Sequence, residues 1–213
     1  MQAQVKPAAS PRVRRRVRQT NGPLHLMSSM GKGLKGQWAG EKHRERFPMA
    51  IRPILRFRDP LLSRACAPVT RFDAELAALA EDLADTMHAA PGIGIAGPHI
   101  GALQRVAVID LDDRAGVRVY VNPEIIAASA DQASHTEGSI SMPGVTEEVL
   151  RPKTVTVRYQ DLAGEMAQLE ASGLLGVCLQ HEIDQLDGIF WIQRLSRLKR
   201  DRLVRQFAKL QGR

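Results

Sequence analysis

The sequence predicts an α+β domain, mainly antiparallel sheet around one motif-bearing helix with a further helix at the C-terminus. Three observations predict it. Leu76, Leu79, Leu83 and Met87 recur at three- and four-residue spacing, the period of a helix. Thr154–Tyr159 alternates apolar with polar residues, the period of a half-buried strand. The strand-like segments run consecutively between the helical ones, a pattern of α+β rather than α/β folds.

Each element follows in turn. Ile51 to Phe57 is short and apolar, and Arg58-Asp59-Pro60 breaks it. The first helix starts near Phe72 with Asp73 as its N-cap and stops at Pro91-Gly92. A glycine-dense stretch, Gly92 to Gly101, follows. Strands are expected at Arg105–Asp110, at Val117–Val121 ending on Asn122-Pro123, at Thr154–Tyr159, and at Met166–Ala171 after an Asp161–Gly164 turn. A helix from about Ser172 to Leu186 packs Leu174, Leu175, Cys178, Leu179 and Ile183 on one side, and Gly188 ends it. Ser196 to Leu210 reads as a basic amphipathic helix.

The chain has 213 residues and a net charge of +7, but the charge is unevenly placed. Residues 1–48 hold eleven basic and two acidic side chains, a sum of +9, and residues 49–213 sum to −2. The first 48 residues have Gly31, Gly33, Gly36 and Gly40 and no sustained apolar period, so they are expected to be a disordered leader. A basic tail for a polyanion, an organelle transit peptide and an over-extended start before Met49 are the three readings, and the protein-like opening at Met49 favours the last. The domain proper is then 49–213. No apolar run approaches the ~20 residues of a membrane helix. Two cysteines, Cys66 and Cys178, make no disulfide scaffold. An aromatic content of 4% argues against base-stacking platforms for single-stranded nucleic acid.

The chemistry concentrates at Gln180-His181-Glu182-Ile183-Asp184-Gln185. It is one position short of His-Glu-x-x-His, in which two histidines on one helical face hold a metal and the glutamate takes a proton from metal-bound water. With the glycine-dense stretch, Glu137-Gly138-Ser139-Ile140-Ser141, Ile51-Arg52-Pro53-Ile54-Leu55 and Asn122-Pro123, in this order, the sequence resembles the peptide deformylase family over residues 49–213.

That resemblance implies Fe(II) or Zn(II), held by the cysteine of a Glu-Gly-Cys-Leu-Ser motif and two histidines, and hydrolysis of the N-formyl group from the initiator methionine of nascent proteins. It places His181 at the first histidine ligand and Glu182 at the general acid/base. Gly92 and Gly94 fall on the family's glycines, the Ile140 N–H on a donor to the tetrahedral oxyanion, and Glu137 with Arg151 on a structural ion pair. Three positions depart: Ser139 stands for the cysteine, Gln185 for the second histidine, and His99 for the glutamine that binds the oxyanion. A neutral hydroxyl and a carboxamide are weak ligands beside a thiolate and an imidazole. Metal binding and standard deformylation are therefore expected to be weak or lost.

Two other functions stay open: a non-catalytic module for nascent chains or the ribosome, and an amidohydrolase on another substrate with a site rebuilt around His99. The basic last helix, with Arg194, Arg197, Lys199, Arg200, Arg202 and Arg205, is a solvated face or, by resemblance, a ribosomal RNA contact. The family implies a cytoplasmic setting, with organellar import if residues 1–48 are a transit peptide. Cys178 reads as an apolar filler, His88 as a surface residue after the first helix, and His135 as a loop residue. Ser139 beside His181 would suit a serine hydrolase, but no acid to orient the histidine is evident from spacing, so that reading is poor.

Overall fold

The computed structural model describes residues 51–212, so the reading of residues 1–48 lies outside the described residues. Helix α1 spans Ala74–Ala89, and the Asp73 carboxylate accepts from the Glu75 and Leu76 N–H groups, as a capping residue should. Strands β1 (Gly94–Ala96), β2 (Val106–Ile109) and β3 (Arg118–Ala128) follow. Strands β4 (Gln132–Ser139) and β5 (Met142–Pro152) form a separate hairpin. Strands β6 (Thr154–Gln160) and β7 (Met166–Ser172) complete a five-stranded antiparallel sheet in the order β1-β2-β3-β6-β7. Helix α2 is Gly173–Leu186 and α3 is Arg197–Gln211.

Several boundaries differ from expectation. Strand β3 does not end at Asn122-Pro123 but passes through it with a register shift. Asn122 takes φ +50°, and Pro123 has no N–H to give to a ladder, so the pair makes a bulge. The Asn122 side chain exchanges two 2.8 Å hydrogen bonds with the Val69 backbone and donates a third to Gln160, which offsets the strained backbone. His88 lies inside the last turn of α1, exposed, and pairs with Asp110 at 2.9 Å. His135 is on β4 rather than in a loop, and Arg194 precedes α3. Leu174 is 54% exposed and does not pack with the buried face of α2.

Helix α2 is the centre of the domain. Every residue from Gly176 to Leu186 except His181 is buried, against the sheet on one side. Helix α3 closes the hairpin: Leu203 and Phe207 share a core with Met142, Val145, Val149, Phe190 and Trp191. The exit from α2 is fixed by Gly188, at φ +76°, where a Cβ would sit 2.8 Å from the Ser63 carbonyl. Gly188→Ala is expected to cost about 2 kcal/mol or more, from the left-handed backbone alone plus the backbone clash. Urea unfolding of the variant checks this, and an unchanged midpoint would contradict it.

Candidate functional site

A cavity of about 480 Å³ opens between β1, the β4–β5 hairpin and α2. His99, Gly94, Ser139, Ile140, His181 and Glu182 all line it. The sequence-predicted residues therefore converge, with one exception. Gln185 is 1% exposed, is not part of that lining, and donates through Nε2 to the Leu62 carbonyl at 2.8 Å.

Five polar side chains of α2 lie in a mostly apolar helix, and each needs a partner. Gln180 donates to the Pro152 and Gly176 carbonyls. Asp184 accepts from Arg151 at 2.8 Å and from Arg194 through two guanidinium nitrogens. Gln185 is satisfied as described. His181 Nδ1 meets Glu137 Oε2 at 2.9 Å. Glu182 is the exception: its Oε2 is buried with no hydrogen-bond partner, and the nearest charged-capable group is His99 Nδ1 at 4.0 Å. A buried carboxyl oxygen without a protein partner beside a cavity is placed to meet a water, an ion or a ligand there.

Glu137 is held from two sides. Arg151 donates to both of its oxygens, at 2.5 and 2.9 Å, and His181 shares Oε2. Burial alone would raise the Glu137 pKa, but the hydrogen bonds from His181 and Arg151 outweigh it and bring it down to about 2. An ionised carboxylate only accepts, so the proton of the contact is on His181 Nδ1, and Nε2 is the ring nitrogen left for another partner. Burial opposes the charged imidazole, but the Glu137 hydrogen bond and the Glu182 charge raise the His181 pKa overall.

His99 is neutral. Burial, with the His181 charge adding to it, lowers its pKa to about 3. Its Nδ1 lies 3.0 Å from the Ala96 nitrogen and 3.1 Å from the Ala96 carbonyl, so that atom is engaged with backbone in either tautomer. Burial pushes the Glu182 carboxyl up to about 7. Gly94 is required by that carboxyl: a Cβ there would lie 2.6 Å from Glu182 Oε1. Ser139 Oγ accepts from the Ser141 N–H at 3.2 Å. Cys178 is buried, with its thiol pushed up to about 12 by burial, as an apolar filler should be, though it also lines the cavity. Among the described residues, no group of three or more His, Cys, Asp and Glu side chains is arranged to hold a metal ion.

Sequence reasoning found Glu137 only as the partner of Arg151. Its second contact, to His181, depends on the β4–β5 hairpin, which was not expected as strands. Its connection, Ile140-Ser141, carries no Asn-Gly or Asp-Gly turn signal.

The model of the polypeptide deformylase family matches residues 51–201. The chain belongs to the polypeptide deformylase family. A "Peptide deformylase-like" protein of Rhizobium meliloti is 60% identical over 161 residues, which cover 76% of this chain and 94% of that one. Among the relatives from Brucella suis biovar 1 are a "Peptide deformylase-like" protein 56% identical, covering 76% of this chain and 99% of its own, and a "Peptide deformylase" 42% identical, covering 76% and 94%. The crystal structure of a peptide deformylase from Legionella pneumophila superposes with a TM-score of 0.73 at 40% identity, over 76% of this chain and 96% of that one. The expected α+β deformylase fold is thereby confirmed, and no described helix is long and apolar enough to cross a membrane.

The paired shifts of His99 and Glu182 have a testable sign. Between pH 4.5 and 6.5 the unfolded chain protonates His99 and ionises Glu182, whereas the native state does neither. The lowered His99 makes stability rise with pH, the raised Glu182 makes it fall, and the two cancel. In Glu182→Gln, only the His99 slope is left, so stability should rise by about 1 kcal/mol per pH unit from 5 to 6. In His99→Gln it should fall by a similar amount. Urea midpoints at several pH values check this, and two flat profiles would contradict it.

Proposed function

We propose that this deformylase-family protein has a reduced metal-ligand set, so that removal of the N-formyl group from nascent chains is weak or lost while the peptide cleft persists. One observation carries the reading: of the three ligand positions, only His181 offers a strong donor to the cavity. Ser139 offers a neutral hydroxyl already accepting from the Ser141 N–H, and the Gln185 amide is committed to the Leu62 carbonyl. The family's Fe(II) or Zn(II) needs anionic sulfur and imidazole at those positions, so the donor set does not fit it. No step is routed through that ion.

In this reading Glu182 is the inherited acid/base, and Gly94, Ile140 and His99 line the place of the formyl peptide. Brucella suis biovar 1 has relatives of both names, which supports a division of labour, with an ordinary deformylase beside a protein of this type. The partners are formylated nascent peptides or the ribosome, in the cytoplasm, and residues 49–213 form the working domain.

A second reading rests on His99. It is neutral, so its ring can ligate, and it shares the cavity with His181 and Glu182. A site rebuilt on those three would make an amidohydrolase on another substrate.

Metal analysis and formyl-Met-peptide turnover, after loading with Fe(II), Zn(II), Ni(II) or Co(II), test both. The first reading expects far less than one ion per chain and turnover reduced by 100-fold or more, the scale of losing the metal-activated water. The double variant Ser139→Cys/Gln185→His is expected to bind close to one ion per chain. Turnover in the wild type within tenfold of an ordinary deformylase would contradict the first reading. A bound ion that disappears in His99→Ala would favour the second.

A further inference from the structure

We infer that Leu55-Arg56-Phe57 is a strap that ties the two walls of the cavity together, so that a peptide enters or leaves the cleft only as the strap releases, with Arg56 positioning the wall at Ile140. The inference rests on the proposed function in one respect, that a peptide occupies the cleft. The walls belong to different sheets. One is β1 of the five-stranded sheet with the 3-10 turn Gly97–Ile100 that follows it and carries His99; the other is the β4–β5 hairpin, which carries Ser139 and Ile140. Among the described residues no strand ladder joins the hairpin to the larger sheet. The base of the hairpin is held where it leaves and rejoins that sheet: the Ser129 N–H donates to the Thr154 carbonyl and the Lys153 N–H to the Asp131 carbonyl. Its tip, Ser139 to Met142, lies at the opposite end.

The strap supplies a hydrogen-bonded tie for that tip. The Leu55 N–H donates to the His99 carbonyl at 2.8 Å, and the Phe57 N–H donates to the Ser141 carbonyl at 2.8 Å. Between them the exposed Arg56 side chain donates to the Ile140 carbonyl at 3.3 Å. The Ile140 side chain also leans across to the apolar cluster of Met87 and Ile95, but such packing sets no fixed spacing. The strap does: two residues of chain reach at most about 7 Å, so the walls cannot part while both backbone bonds are made. The remaining contacts of the hairpin, Glu137 with His181 and its packing under α3, hold it to helices.

Nor can the strap slide. Upstream, the Arg52 N–H donates to the Thr86 hydroxyl of α1 at 2.9 Å. Downstream, the Phe57 ring stacks on Phe190 at 5.1 Å and meets Phe207 edge-on at 6.0 Å. The Asp59 N–H then closes a turn onto the Arg56 carbonyl, with Arg58 at φ +82°, a left-handed backbone that a residue other than glycine keeps only under constraint. A peptide between the walls and the strap across them resist the same opening. Each therefore stabilises the other: filling the cleft protects the strap amides, and loosening the strap speeds release of the peptide.

The test uses the full-length protein, amide hydrogen exchange, and release of a formyl-Met-Ala-Ser peptide with a C-terminal fluorophore. In the wild type, the Leu55 and Phe57 amides should exchange faster than those of the buried strand β2, through an opening short of unfolding. Peptide at 100 times its Kd should slow them by up to about 100-fold. Arg56→Ala removes an exposed side chain and leaves the core intact. It should speed both Phe57 exchange and peptide release by about 3- to 10-fold, the scale of one lost hydrogen bond, with the β2 amides unchanged. Arg56→Lys, which keeps a donor, should recover part of the loss. Arg56→Ala with wild-type Phe57 exchange, or with β2 amides speeded equally, overturns the strap, as does faster exchange with unaltered release. A wild type that binds no formyl peptide would instead contradict the peptide cleft of the proposed function, and Phe57 exchange in Arg56→Ala would still decide whether the strap ties the walls.

Discussion

The hydrogen bond between Glu137 and His181 is the constraint on which the rest of the site depends. It joins a strand of the hairpin to the central helix, two elements that are far apart in sequence. Around it lies a chain of charges, buried at Asp184, Arg151 and Glu137 and exposed at Arg194: Arg194 and Arg151 on Asp184, and Arg151 and His181 on Glu137. Charges removed from water are tolerable only when each is matched and hydrogen-bonded. Taking one member away would leave another uncompensated in the interior, so the chain holds the hairpin, the helix and the residues before α3 in one relative placement. A single imidazole orientation is the local consequence.

Function, in this account, is what the helix has left over after its folding obligations are met. Gln180, Asp184 and Gln185 spend their polar groups on carbonyls and guanidinium groups. His181 spends one nitrogen and keeps one. Glu182 keeps an oxygen unpaired, with Gly94 cut down to hydrogen so that the carboxyl fits. In the proposed reading, the departures at Ser139 and Gln185 change the chemistry without disturbing this scaffold. Gln185 illustrates the point: its amide ties the helix to the Leu62 carbonyl.

Much of the fold was legible in the sequence, and the reasons are local. The α1 period and the Asp73 cap, the strands at Thr154–Tyr159 and Met166–Ala171, and the amphipathic helix from Ser196 are all short-range signals that the structure reproduces. What was not legible depends on partners distant in sequence. Asn122 looked like a strand end, but its side chain is bonded to Val69, and that contact holds a bulge inside a longer strand. Strands β4 and β5 are largely polar and joined by an unmarked two-residue turn, so no apolar alternation announced them. The site shows the same division. The family resemblance brought His181, Glu182, Ser139 and His99 together, whereas the contact of Glu137 with His181 required the register that pairs Glu137 opposite Glu147 across the hairpin.

The most direct measurement of the central claim is the tautomer of His181, read from long-range proton–nitrogen correlation spectra of the uniformly labelled protein, held alkaline enough for the ring to be neutral. The account predicts a proton on Nδ1 and a bare Nε2, with the Nδ1 proton shifted downfield by its carboxylate partner. A proton on Nε2 would mean that Glu137 does not orient this ring, and the central constraint would be contradicted.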